Sequence, residues 1–277
     1  MKRKYYYFLA AAIIIGGCFL AKSRWEKQNS ESEEKIRFET TKEEDKTVRF
    51  IKDNIARTTD FWLYVLSDSF PKYREPNLII YKGEVECRKS SKGETHTGIF
   101  YSAADSTIYF DMAYLEFLHK QSGIRQDFIT TYLVAHCVSH HVQNILGISS
   151  YINELGTRMD EERKALLEER FELQADCMAE MFMNRDNLYG DVDESIKLDN
   201  MRTLRHTSRK WEEIKPEKCI FEDSHTITQP EMVLFWMKKA DENPTLQNTN
   251  TFHSVNIDIT SVFSETEAYY GTKLQQL

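Results

Sequence analysis

The stretch "AHCVSHHVQNILG" at residues 135–147 constrains this chain more than any other. His136 and His140 are four residues apart within it, and the surrounding apolar residues predict a helix that ends before Gly147. On a helix, this spacing places both imidazoles on one face, close enough to share a metal ion. Pairs of histidines at this spacing also occur without a metal, so the pattern by itself only suggests a site.

A catalytic zinc site needs a third protein ligand and an open fourth position. The stretch "FELQADC" carries Glu172 and Asp176, again four residues apart on a predicted helix. In one interpretation Glu172 binds the metal and Asp176 accepts a hydrogen bond from a histidine ring N–H. In the other, both carboxylates belong to an exposed acidic face of a glutamate-rich helix.

Charge and cysteine content exclude several other classes. The chain has 277 residues, of which 41% are hydrophobic, enough to build a core. Its net charge is −8, whereas nucleic-acid binding requires a basic face, so we expect no nucleic-acid partner. The five cysteines are widely spaced with no CxxC pair, which argues against a structural zinc ribbon.

The N-terminus predicts attachment to a membrane. Three basic residues precede the uncharged apolar run "YYYFLAAAIIIGGCFLA" at residues 5–21. Its length lies between a signal-peptide core and a short spanning helix. An uncleaved signal anchor over residues 1–21 is favoured, because the run continues past Cys18. The alternatives are a lipoprotein-type signal, since "IGGC" fits lipidation of Cys18, and a cleaved segment. We expect a single-pass or lipid-anchored protein whose domain is extracytoplasmic.

Beyond this segment, the sequence predicts one α+β domain. Residues 22–46 are polar and are interpreted as a tether, residues 47–252 as the domain, and residues 253–277 as a weakly structured tail. The predicted elements are a helix from Thr47, strands at 77–81 and 107–111 with a loop at 89–98, and helices near 112–119, 127–145, 160–184, 194–213 and 230–241.

Five segments, in order, carry a family resemblance: "DFWLYVLSDSFPKYREPNLIIYKG", "TGIFYSAADSTIYFD", "YLVAHCVSHHVQNILGI", "FELQADCMAEMF" and "DSHTITQPEMVLFWMKKAD". Over about residues 48–252 the chain resembles the neutral zinc metallopeptidase family of membrane-anchored bacterial proteins. The resemblance implies a zincin-like domain with a zinc-binding helix, a second ligand-bearing helix and a small sheet. It also implies Zn²⁺ as cofactor, with His136, His140 and Glu172 as ligands, and a peptide or protein ligand in the zinc cleft.

The chain departs from the family at the catalytic base. Where the family has a glutamate after the first zinc-binding histidine, this chain has Cys137. In peptide hydrolysis that glutamate deprotonates the attacking water and passes the proton to the leaving amine. A cysteine side chain is shorter, has one acceptor instead of two, and has an ordinary pKa of about 8.5. Because losing a general base costs on the order of 10²–10⁴ in rate, we expect efficient proteolysis to be lost.

Two further departures concern residues outside the metal-binding helices. The family's Thr-His-Gly reads "TIT" here, so Ile227 stands where a histidine could polarise the substrate carbonyl. We do not expect His225 to replace it. The segment "TGIFYSAADSTIYFD" resembles a hairpin of the family in which a cysteine is usual; Ser102 stands in its place here, so Cys87 is expected to have lost a disulfide partner.

Three hypotheses follow. The favoured one is a zinc-binding pseudopeptidase whose cleft now serves binding or regulation. The second is an active zinc metallopeptidase that uses Cys137 in another role. If the thiolate of Cys137 were instead a fourth metal ligand, it would close the site to substrate. The third is a membrane-tethered interaction domain without a metal.

Overall fold

Helices make up most of the chain that the computed structural model describes, which comprises residues 41–66, 73–87, 95–185, 193–215, 229–242 and 246–254. The α-helices are α1 (Lys42–Leu66), α2 (Met112–Ser122), α3 (Gln126–Ile145), α4 (Ile148–Gly156), α5 (Glu161–Arg185), α6 (Glu194–Ile214) and α7 (Pro230–Glu242). The strands are β1 (Asn77–Tyr81), β2 (Val85–Glu86), β3 (Thr95–His96), β4 (Ile99–Ser102) and β5 (Thr107–Asp111). Two 3₁₀ turns follow at Leu246–Thr249 and Thr251–Ser254, and the predicted α+β class is confirmed.

Helix α1 begins earlier than the sequence pattern indicated. The hydroxyl of Thr41 accepts from the Glu44 N–H at 3.2 Å, and the Glu44 carboxylate accepts from the Thr41 N–H at 2.7 Å. This reciprocal pair is a capping box, which satisfies backbone donors at the start of a helix. The helix therefore extends into the last residues of the segment at 22–46 that was interpreted as a tether.

The small sheet has the order β1-β5-β4, with β1 parallel and β4 antiparallel to β5. All five residues of β5 are buried, which is consistent with the apolar and aromatic run Ile108, Tyr109 and Phe110 at its centre. The strands predicted at 77–81 and 107–111 are confirmed. The prediction of a loop over residues 89–98 is partly wrong, because strand β3 lies within this range and pairs with β2, which precedes it. Such two-residue strands are set by their partners and leave no periodic signal in the sequence.

Helix α3 crosses the interior of the domain. Every residue from Phe128 to Gln143 is buried, including the polar ones. Helix α3 packs against α5 and α1, and α5 packs against α7. The first half of α5 is largely exposed and acidic, whereas every residue from Glu172 to Met183 is buried. The acidic face predicted as an alternative therefore exists only before Glu172.

The predicted membrane segment at residues 1–21 lies outside the described residues, as do most of the tether and of the tail at 253–277. Within the described ranges, no helix combines the length and apolar character needed to cross a membrane. All described residues belong to one compact unit, Thr40–Leu277.

Candidate metal centre

Three buried side chains from two helices meet between α3 and α5. The Nε2 atoms of His136 and His140 lie 2.9 Å apart. Oε2 of Glu172 lies 3.3 Å from Nε2 of His136 and 3.5 Å from Nε2 of His140. These three atoms form a group compatible with a metal ion, all within 4.8 Å of one another. The structure therefore brings together the three residues that the sequence singled out as candidate ligands.

The spacing of these atoms suits zinc. Tetrahedral zinc with ligands at about 2.0–2.1 Å requires neighbouring ligand atoms to lie about 3.4 Å apart. The three observed distances, 2.9, 3.3 and 3.5 Å, lie around this value. Two imidazole nitrogens and one carboxylate oxygen are also a donor set that zinc prefers.

A buried oxygen of Glu172 also fits a cation. Oε2 is inaccessible and has no hydrogen-bond partner within the described part of the chain. A buried carboxylate oxygen without a partner is costly unless a positive charge lies next to it. A divalent cation bound to Oε2 and to both Nε2 atoms would satisfy this oxygen, so the residues present fit the metal.

The electrostatics of the cluster favour positive charge at its centre. Burial raises the pKa of Glu172, but the imidazoles of His140 and His136 more than offset this effect and hold the pKa below its usual range. Burial disfavours the imidazolium of His136, yet the carboxylates of Asp176 and Glu172 raise its pKa to about 9. The cluster thus attracts a cation, whether a proton or a metal ion.

Asp176 lies where a partner of a metal-binding histidine is expected. Its Oδ1 accepts from Nδ1 of His136 at 2.9 Å, which leaves Nε2 of that ring directed at Glu172. The hydroxyl of Tyr132 donates to the same oxygen, and Nη2 of Arg205 lies 3.5 Å from Oδ2. The carboxylate is therefore held at both oxygens inside the core.

Four further residues surround this centre and were not predicted from the sequence: Tyr132, Gln143, Gln174 and Arg205. Tyr132 could have been found, because it precedes His136 by one helical turn on the same face. Gln174 lies between Glu172 and Asp176 in "FELQADC". Arg205 comes from α6, and no local pattern indicates that α6 approaches Asp176.

Cys137 follows His136 on α3 and is buried. Its sulfur is not one of the mutually close ligand atoms, which come only from His136, His140 and Glu172 among the described residues. The idea of Cys137 as a fourth metal ligand therefore gains no support from the geometry. Ile227 lies outside the described residues.

Comparison with known families agrees with this geometry. A sequence model of the family described as "Putative neutral zinc metallopeptidase" matches residues 5–252. The chain belongs to this family. Family membership and the buried His-His-Glu cluster together identify zinc as the cofactor that this zinc metallopeptidase homologue is built to accommodate.

Relatives of this zinc metallopeptidase homologue occur in Escherichia coli and Mycobacterium tuberculosis. It is 26% identical over 209 residues to "Uncharacterized protein YpfJ" of Escherichia coli strain K12, covering 76% of this chain and 72% of the relative. It is 33% identical over 135 residues to "Uncharacterized protein Rv2575" of Mycobacterium tuberculosis strain H37Rv, covering 47% of this chain and 43% of that protein. No solved structure is a significant match.

Proposed function

We propose that this chain is a zinc-binding pseudopeptidase: a zincin-like member of its family that retains the metal ligands and has lost efficient proteolysis. His136, His140 and Glu172 would hold the zinc. When bound, the metal would act as a Lewis acid that polarises a carbonyl oxygen. The observation that carries the proposal is Cys137, which follows His136 where the family has a glutamate.

Among the described residues, the two carboxylates closest to the two histidines do not replace that glutamate. Glu172 is assigned to the metal, and Asp176 already accepts from Tyr132 and His136. Neither carboxylate is therefore placed to take a proton from an attacking water. The side chain of Cys137 is too short for its thiol to reach the position that a glutamate carboxylate would occupy from the same site on α3. Ile227 would also be unable to polarise a substrate carbonyl.

Binding is the function that such a site can still perform. A cleft that retains a Lewis acid but lacks a general base can hold a peptide or protein segment without cleaving it. The apolar run at residues 5–21 would attach the protein to a membrane as a signal anchor or through a lipidated Cys18. The domain would then act on the extracytoplasmic side.

The decisive experiment compares the full chain with Cys137→Glu and with Cys137→Gln as a control. The control has the size of glutamate but cannot act as a base. We expect about one zinc per chain in all three proteins, measured by elemental analysis. Only Cys137→Glu, alone or with Ile227→His, is expected to cleave unfolded casein, at a rate on the order of 10²–10⁴ above the unaltered chain.

Zinc-dependent cleavage by the unaltered chain would overturn the proposal that proteolytic activity has been lost. A chain without zinc, whose melting does not respond to a chelator, would support a metal-free interaction domain instead. Membrane attachment is tested separately by alkaline extraction of membranes carrying the full chain. We expect the protein to stay with the lipid, and its release would refute attachment. Loss of attachment in Cys18→Ser would identify the lipidated form.

A further inference from the structure

Gln143 makes three hydrogen bonds at the boundary between the two ligand-bearing helices. Its side chain lies on α3, close to His140, and is fully buried. Its Oε1 lies 2.8 Å from Nδ1 of His140. Its Nε2 donates to the backbone oxygen of Phe171 at 2.9 Å and to Oε1 of Gln174 at 3.0 Å. Phe171 and Gln174 flank the ligand Glu172 closely on α5.

The backbone contact decides which way the amide of Gln143 faces. A carbonyl oxygen can only accept hydrogen bonds, so the amide nitrogen must point at Phe171. The amide oxygen then points at His140 and can only accept, so Nδ1 of that ring must carry the proton. In the neutral ring Nε2 of His140 is then the atom free to bind a metal, and it lies 2.9 Å from Nε2 of His136 and 3.5 Å from Oε2 of Glu172. If the amide were reversed, its oxygen would face the backbone oxygen of Phe171, and neither atom can donate. Its nitrogen would face Nδ1–H of His140, and neither group can accept.

We propose that Gln143 is a positioning residue for the metal site. It fixes the tautomer and ring orientation of His140 and holds that ring at a fixed position relative to Glu172. This inference rests on the proposed zinc binding. Asp176 orients His136 by a carboxylate, whereas Gln143 orients His140 by an amide that is itself held by the main chain of α5. The two histidines are thus oriented by different groups, both tied to the helix that carries the third ligand.

A purely structural role makes a different prediction. If Gln143 only satisfied the buried oxygen of Phe171, its loss would destabilise the fold and would leave the zinc affinity of the folded protein unchanged. Two substitutions separate the roles. Gln143→Met removes both the acceptor and the donor while keeping the length of the side chain. Gln143→Glu keeps an acceptor for His140 and loses the donor to Phe171.

The experiment measures the zinc dissociation constant of the full chain in detergent by competition with a chromogenic chelator. Gln126→Met, an exposed change at the start of the same helix, is the control. We expect Gln143→Met to weaken zinc binding on the order of tenfold, and Gln143→Glu to bind within about threefold of the unaltered chain. Both should melt at lower temperature than the unaltered chain in the absence of metal. The visible spectrum of bound Co²⁺ should change in Gln143→Met and not in Gln143→Glu.

Unchanged zinc affinity in Gln143→Met, or an equal loss in Gln143→Glu, would overturn the inference. If Gln143→Met does not fold, ¹⁵N NMR of histidine-labelled unaltered chain decides: a proton on Nδ1 of His140 supports the inference and a proton on Nε2 alone refutes it. Failure of the unaltered chain to bind zinc would instead overturn the proposed function, and the two failures are therefore distinguishable.

Discussion

Nδ1 of His136 donates to Oδ1 of Asp176 across 2.9 Å, and this hydrogen bond joins α3 to α5 inside the core. Both residues are almost fully buried. Because the hydroxyl of Tyr132 shares the same oxygen, the carboxylate has little freedom to rotate. A carboxylate in this position fixes the ring of a metal-binding histidine and increases the basicity of its other nitrogen.

Asp176→Asn should therefore weaken zinc binding. The substitution keeps the shape of the side chain and removes its charge, so we expect the zinc dissociation constant to rise about 10- to 100-fold. The measurement is competition with a chelator of known affinity. Asp160→Asn, at an exposed site before α5, should leave zinc binding unchanged. Equal zinc affinity in Asp176→Asn and the unaltered chain would contradict the orienting role.

Glu172→Gln should remove the stabilisation that zinc gives to the fold. For the unaltered chain, free zinc at a hundred times its dissociation constant should stabilise the folded state by about 2.7 kcal/mol. This corresponds to a rise in Tm of about 5–10 °C for a domain of this size. Glu172→Gln should show little of this rise, because an amide is a poor zinc ligand. Glu168→Gln, on the exposed part of the same helix, should respond to zinc as the unaltered chain does.

Lys197 neutralises a buried carboxylate away from the metal centre. Its Nζ contacts Oε1 of Glu180 and lies 3.3 Å from Oδ2 of Asp241. Lys197→Met should lower the free energy of unfolding by about 2–3 kcal/mol, less than for a fully buried pair because 21% of the Lys197 side chain is exposed. Lys238→Met, which breaks a surface pair with Glu194, should cost less than about 1 kcal/mol in urea unfolding.

The cost of Lys197→Met should also depend on pH. Burial already raises the pKa of Glu180 and Lys197 opposes this effect, so removing the lysine should raise that pKa further. With a raised pKa, the folded state binds more protons than the unfolded chain, and stability rises as the pH falls. The difference between Lys197→Met and the unaltered chain should therefore shrink in acid. A difference that grows in acid would show that Glu180 is not the group responsible.

Thr131 links α3 to α1 through a buried hydrogen bond. Its hydroxyl donates to Oδ1 of Asn54 at 3.0 Å. Thr131→Val keeps the shape of the side chain and leaves that buried oxygen without its donor, which should cost about 1–3 kcal/mol of stability. Thr207→Val, on α6, loses a hydroxyl that donates to the carbonyl of Thr203 in its own helix and should cost less. Denaturant unfolding of the two variants measures the difference between their losses of stability.

Relationships within one helix could be predicted from the sequence. The helical period alone places His136 above His140, and Glu172 above Asp176, whatever surrounds them. The capping box of Thr41 and Glu44 is also local, and the start of α1 could have been found from it. The strands β2 and β3 could not, because each has only two residues and exists through hydrogen bonds to the other.

The two pairs of candidate residues, the family resemblance and the substitution at Cys137 could thus be found without a structure. The packing of the helices was needed to show that Glu172 faces both histidines while Asp176 faces one, since this depends on how α5 is rotated against α3. The same packing brings Gln143 to Phe171 and Arg205 to Asp176. Such contacts join distant parts of the chain through packing and burial, and the spacing of residues along the sequence does not predict them.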